Sequence, residues 1–109
     1  MKQYKNYKLH LSHKEMKDLG FHYDFGIEDY VYEFPVYRLN GKTQIVCKLG
    51  VDEETNQIWF NVYDTNHNLY PSYYNRTYGK SKIVPIIEKN IRLEIGKLKE
   101  KEKEINGDD

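Results

Sequence analysis

The sequence predicts an α+β fold: an antiparallel meander of three to four strands, a short N-terminal helix, and a long C-terminal helix across one face of the sheet. Three observations carry this prediction. Asn40-Gly41 lies between two β-rich runs, the strongest short-range hairpin signal. "DEETNQ" separates Val51 from Ile58, and a loop over 53–56 joins their two runs into a second hairpin. Finally, Val84, Ile87, Ile91, Ile95 and Leu98 recur every three or four residues, the spacing of one helical face.

In chain order, "YKNYKLHL" reads as a strand over 4–11, because Tyr7, Leu9 and Leu11 alternate with Lys8 and His10. Ser12 and Glu15 have the spacing of a capping box and Gly20 sits where a left-handed C-cap belongs, so a helix is expected over 13–19. "HYDFGIED" reads as an acidic, aromatic connector. In the first hairpin, Leu39 pairs with Lys42, Val36 with Ile45, Phe34 with Cys47, Tyr32 with Leu49 and Tyr30 with Val51; on the opposite face Glu33 meets Lys48. In the second, Val51 pairs with Ile58, Leu49 with Phe60 and Cys47 with Val62, which leaves Trp59 over Gly50. Pro35 requires its strand to lie at the sheet edge or to carry a bulge. Pro85 belongs in the first turn of the last helix, which is expected to start near Val84. Residues 1–98 read as one domain. The charged segment 99–109, "KEKEKEINGDD" within it, lacks regular apolar anchors and is expected to fray.

Composition bounds the function. Of 109 residues 31% are charged, with zero formal net charge, so there is no global attraction to nucleic acid or acidic membrane. Eleven tyrosines and an aromatic content of 15% argue against disorder. Alanine is absent while Lys, Asn, Ile and Tyr abound, a bias that points to a low-GC genome, bacterial or of a bacterial mobile element. Neither a signal-peptide core nor an apolar run of spanning length occurs, so the expectation is a cytoplasmic protein without membrane association.

The chemistry-bearing residues give no catalytic pattern. Gly79-Lys80-Ser81 would need a glycine at position 74 to form a phosphate loop, and that residue is tyrosine. His10, His13, His22 and His67 have no zinc-ligand spacing, and Cys47 falls on the inward face as a small hydrophobe. Asp24, Glu28 and Asp29 cluster without a partner base. No enzyme, metal, cofactor or small-molecule substrate is predicted.

Aromatic recognition has more content. The register places Tyr37, Trp59 and Tyr63 with Val31 and Val46 on the sheet face opposite Leu49. "YPSYYNRTYGKSK" adds Tyr73, Tyr74 and Tyr78 with Arg76, Lys80 and Lys82. These residues form the candidate interaction surface. Structural packing accounts for such residues first: Pro71 and Gly79 shape the 70–82 connection, and its tyrosines pack their rings with hydroxyls outward. Beyond packing, the expected partner is another protein or a second copy of the chain. The alternative is single-stranded nucleic acid, stacked on the rings and held by the basic loop. The order helix, three-stranded meander, helix over residues 12 to about 100 resembles that of double-stranded-RNA-binding domains. It departs from them in having no histidine in the loop between the first two meander strands, Asn40-Gly41, and only "GKSKIVP" at the start of the last helix.

Overall fold

A computed structural model describes residues 3–74 and 82–107. Its elements are β1 (Gln3–Lys8), α1 (His13–Asp18), β2 (His22–Asp24), β3 (Asp29–Leu39), β4 (Lys42–Asp52), β5 (Gln57–Asp64), α2 (Pro71–Tyr74) and α3 (Ile83–Asn106). The sheet is antiparallel in the order β1-β5-β4-β3-β2. It has five strands where three or four were expected, which also adds two strands to the helix–meander–helix order. The additional edge strand, β2, lies inside the connector "HYDFGIED". Three residues are too few to show a period, and the turn after them is built by local bonds: Gly26 N–H to Asp24 Oδ1 at 2.8 Å and Glu28 N–H to the Asp24 carbonyl at 2.7 Å.

The central meander follows the alternation of the sequence. Asn40 and Gly41 both have positive φ, 52° and 78°, as a type I′ turn requires. The pairs Leu39–Lys42, Phe34–Cys47, Tyr32–Leu49, Tyr30–Val51 and Glu33–Lys48 form as expected, and so do Val51–Ile58, Leu49–Phe60, Cys47–Val62 and Gly50–Trp59. One pair differs. Ile45 lies opposite Tyr37, not Val36, because the register shifts between Pro35 and Tyr37. Proline has no N–H to donate to any ladder and is accommodated on an edge strand, and the extra residue beside it forms a bulge. The bulge leaves Val36 buried and also turns Tyr37 toward the helix side, where it packs against the core, away from the face on which Trp59 lies.

β1 ends at Lys8, earlier than the predicted strand. Leu9 then enters the core, and Ser12 closes a capping box with Glu15 in both directions. Met16 of α1 and Phe21 join Leu9 there. Along α3, Ile87, Ile91, Ile95 and Leu98 are buried against Ile45, Cys47, Leu49, Phe60 and Val62. Helix α3 does not stop at Lys99. Its last turns are tied to the N-terminal segment: Lys99 Nζ donates to the Lys8 carbonyl at 2.7 Å, the His10 amide donates to Glu102, and Asn106 Nδ2 donates to the His10 carbonyl at 2.7 Å. Burial alone would raise the Glu102 carboxyl, but the bonds from Lys99 and the His10 amide outweigh it and hold the group below its ordinary value. The expected frayed tail is therefore a helical anchor through Asn106. Its signal is polar and long-range, which an apolar periodicity cannot display. Among the described residues no helix is long and apolar enough to cross a membrane.

Candidate functional site

The residues expected to form one interaction surface are distributed over several places. Trp59 is buried, 2% exposed, with its ring flat on Gly50 and its indole N–H donating to Asp29 Oδ2 at 2.9 Å. A Cβ at residue 50 would lie 2.2 Å from the ring carbons, so the indole occupies the volume that glycine leaves free. Tyr63 is half-buried and lines a small pocket of about 260 Å³ with Glu33, Val46, Asp64 and His67. The Asp64 carboxylate in that pocket accepts the amides of Asn66 and Asn68 at 2.8 and 3.0 Å, so it builds the turn that follows β5.

The 70–74 part of the tyrosine-rich stretch closes the sheet edge. Among the described residues β1 pairs with β5 at Gln57, Trp59 and Phe60 and not at Val62. There the Tyr70 amide donates to the Val62 carbonyl at 3.0 Å, and the Val62 amide donates to the Tyr74 hydroxyl at 2.7 Å. Tyr73 stacks edge-on against Phe60, centroids 6.0 Å apart, and its hydroxyl donates to Glu88 of α3 at 2.6 Å. Both rings pack as expected, but their hydroxyls are committed inside the protein and do not point to solvent. The bulk of each ring lies over apolar neighbours, while the Tyr74 hydroxyl satisfies the Val62 amide and the Tyr73 hydroxyl the Glu88 carboxylate. Burial first, then the bond to Glu88 and its charge, push the Tyr73 hydroxyl well above its ordinary value. Burial likewise raises Tyr74. Lys82 is exposed just before α3. Arg76, Tyr78 and Lys80 lie outside the described residues.

A different surface emerges from the fold. β2 pairs only with Asp29, Tyr30 and Val31, so β3 from Tyr32 to Leu39 has no strand on its outer side among the described residues. One flank of α3 runs beside this stretch. Between them lies an open groove of about 490 Å³ whose strand wall includes Phe34, Pro35, Tyr37 and Arg38, and whose helix wall includes Ile86, Asn90, Leu93 and Lys97. Asn90 Nδ2 reaches across and donates to the Val36 carbonyl at 2.7 Å, which pins the helix to the bulge. Ile86 and Leu93 keep 44% and 55% of their surface exposed. Glu94, also in this groove, accepts the Tyr32 hydroxyl at 3.0 Å. Tyr32 is held well above its ordinary value by burial and then by the Glu94 charge.

Of the expected surface residues that are described, only Tyr37 reaches this groove, and it does so because of the bulge. Ile86 and Leu93 carry a sequence signal: they are apolar residues lying off the core stripe of their helix. Such residues are common on protein surfaces, so the signal gains meaning only when a free strand edge is placed beside them. Among the described residues, no cluster of three or more His, Cys, Asp or Glu side chains is arranged to hold a metal ion. No protein-family model matches the chain, and no curated protein and no solved structure is significantly similar to it.

Proposed function

We propose that this is a non-enzymatic binding protein whose partner is another protein, docked in the groove between β3 and α3. One observation carries the reading: two large aliphatic side chains, Ile86 and Leu93, stand exposed beside a half-strand that has no strand on its outer side among the described residues. Exposed apolar side chains grouped at a concave site mark interaction surfaces more often than scattered ones do. The AT-rich residue usage fits an accessory protein of a low-GC bacterial mobile element, acting in the cytoplasm. The alternative, single-stranded nucleic acid stacked on the sheet, is weakened because Trp59 is buried and bonded to a carboxylate, and so offers no face to a base.

A photo-crosslinking residue at position 93, compared with one at Glu54 in the opposite hairpin loop, tests this in bacterial lysate with and without nuclease. The expected result is a defined protein adduct at 93 that survives nuclease, is absent at 54, and is lost in Ile86→Asp. Adducts that vanish with nuclease, or that form equally at 54, overturn the reading.

A further inference from the structure

Resting on the docking reading above, we propose that the occupant of the β3–α3 groove is an acidic amphipathic helix of another protein, and not a strand added to the sheet edge. A strand would need a continuous row of outward N–H and C=O groups along β3. Two features interrupt that row at its middle. Pro35 has no N–H, and the Val36 carbonyl already accepts the Asn90 amide at the bulge. Prolines and bulges are the devices by which free edges refuse further strands. A helix satisfies its own backbone and needs only side-chain contacts.

The groove's apolar and charged groups have a spacing that suits such a helix. Ile86 and Leu93 are seven residues apart on one flank of α3, a separation of about 10.5 Å along the axis. A partner helix lying alongside repeats its apolar residues at the same interval. The charges around them are uneven. Glu94 is engaged by the Tyr32 hydroxyl, while Arg38 on the strand wall is exposed and the Lys97 side chain keeps 75% of its surface. Lys97 lies 3.9 Å from Glu94, a surface pairing that holds it weakly. The groove therefore offers two cations to a ligand, and an acidic helix is the complementary partner.

The probes for the test are two displayed peptide libraries, one on a helical scaffold and one linear, selected against the full chain. Enriched peptides are then measured by fluorescence anisotropy. The helical library should enrich sequences with large aliphatic residues seven apart and flanking Asp or Glu. Their affinity should fall about tenfold in Leu93→Asp and several-fold in Arg38→Glu or Lys97→Glu, and should weaken with added salt. Unchanged thermal midpoints of these surface variants would show that folding is not at issue. Enrichment of linear, alternating sequences whose binding is lost in Leu93→Asp overturns the helix while leaving the docking groove intact. Peptides from either library that bind Leu93→Asp as tightly as the unaltered chain overturn both. A concentration-dependent dimer, converted to monomer by Leu93→Asp, would make a second copy the occupant and overturn the proposal.

Discussion

Gly50→Ala should destabilise this protein, and its cost can be worked from the geometry. Alanine is otherwise the better strand residue, by about 0.5–1 kcal/mol, because glycine loses more backbone entropy. Here the added Cβ would sit 2.2 Å from Cε2 and Cζ2 of Trp59, so the indole must move. Overpacking of this kind costs about 1–3 kcal/mol. Displacing the ring also breaks the 2.9 Å bond to Asp29, and a hydrogen bond to a charged group contributes about 1.5–3 kcal/mol. The net loss is about 2–5 kcal/mol. For 109 residues the unfolding entropy near 60 °C makes each kcal/mol worth about 4 °C, so the midpoint should drop by about 10–20 °C. Circular dichroism gives the midpoint, and emission from the single tryptophan reports its exposure directly. A double-mutant cycle isolates the cause: with Trp59→Leu already in place, Gly50→Ala should be neutral or slightly stabilising. A drop below about 2 °C, or an equal cost in both backgrounds, would refute the reasoning.

Three further outcomes are expected. Tyr32 and Tyr73 are held above the ordinary tyrosine value near 10, so the native state keeps protons that the unfolded chain releases first. Stability from this source is fully present below pH 10 and should be lost as pH rises above it; urea midpoints in Tyr32→Phe/Tyr73→Phe should fall less steeply there. Tyr74→Phe takes the acceptor from the Val62 amide and should cost about 1–2 kcal/mol, with faster amide exchange at Val62, whereas Lys82→Gln should leave the thermal midpoint unchanged. Truncation after Leu98 removes the bonds to Lys8 and His10 and should cost about 1–3 kcal/mol in urea unfolding; a truncated chain as stable as the whole would return the segment to the status of a frayed tail.

The sequence by itself determined the central meander and its register, because alternation has a period of two and a slip of one residue would expose every core side chain. Asn40-Gly41 fixed the first hairpin, and the 53–56 loop, by pairing Val51 with Ile58, set Trp59 opposite Gly50. The capping box at Ser12 and the stripe from Ile87 to Leu98 were equally legible, since both depend on neighbours three or four residues away. Tertiary structure decided the rest. β2 is too short to carry a period, and the bulge at Val36 moved Tyr37 to the other face, although Pro35 had only required that some irregularity exist. The anchoring of α3 beyond Lys99 spans more than ninety residues of separation. The groove arises in the same way: among the described residues the edge of β3 beyond Val31 carries no strand because β2 is only three residues long, and α3 brings Ile86 and Leu93 beside that edge. Local physics writes turns, caps and periods into contiguous residues, whereas a site shared by two distant elements exists only after the core has brought them together.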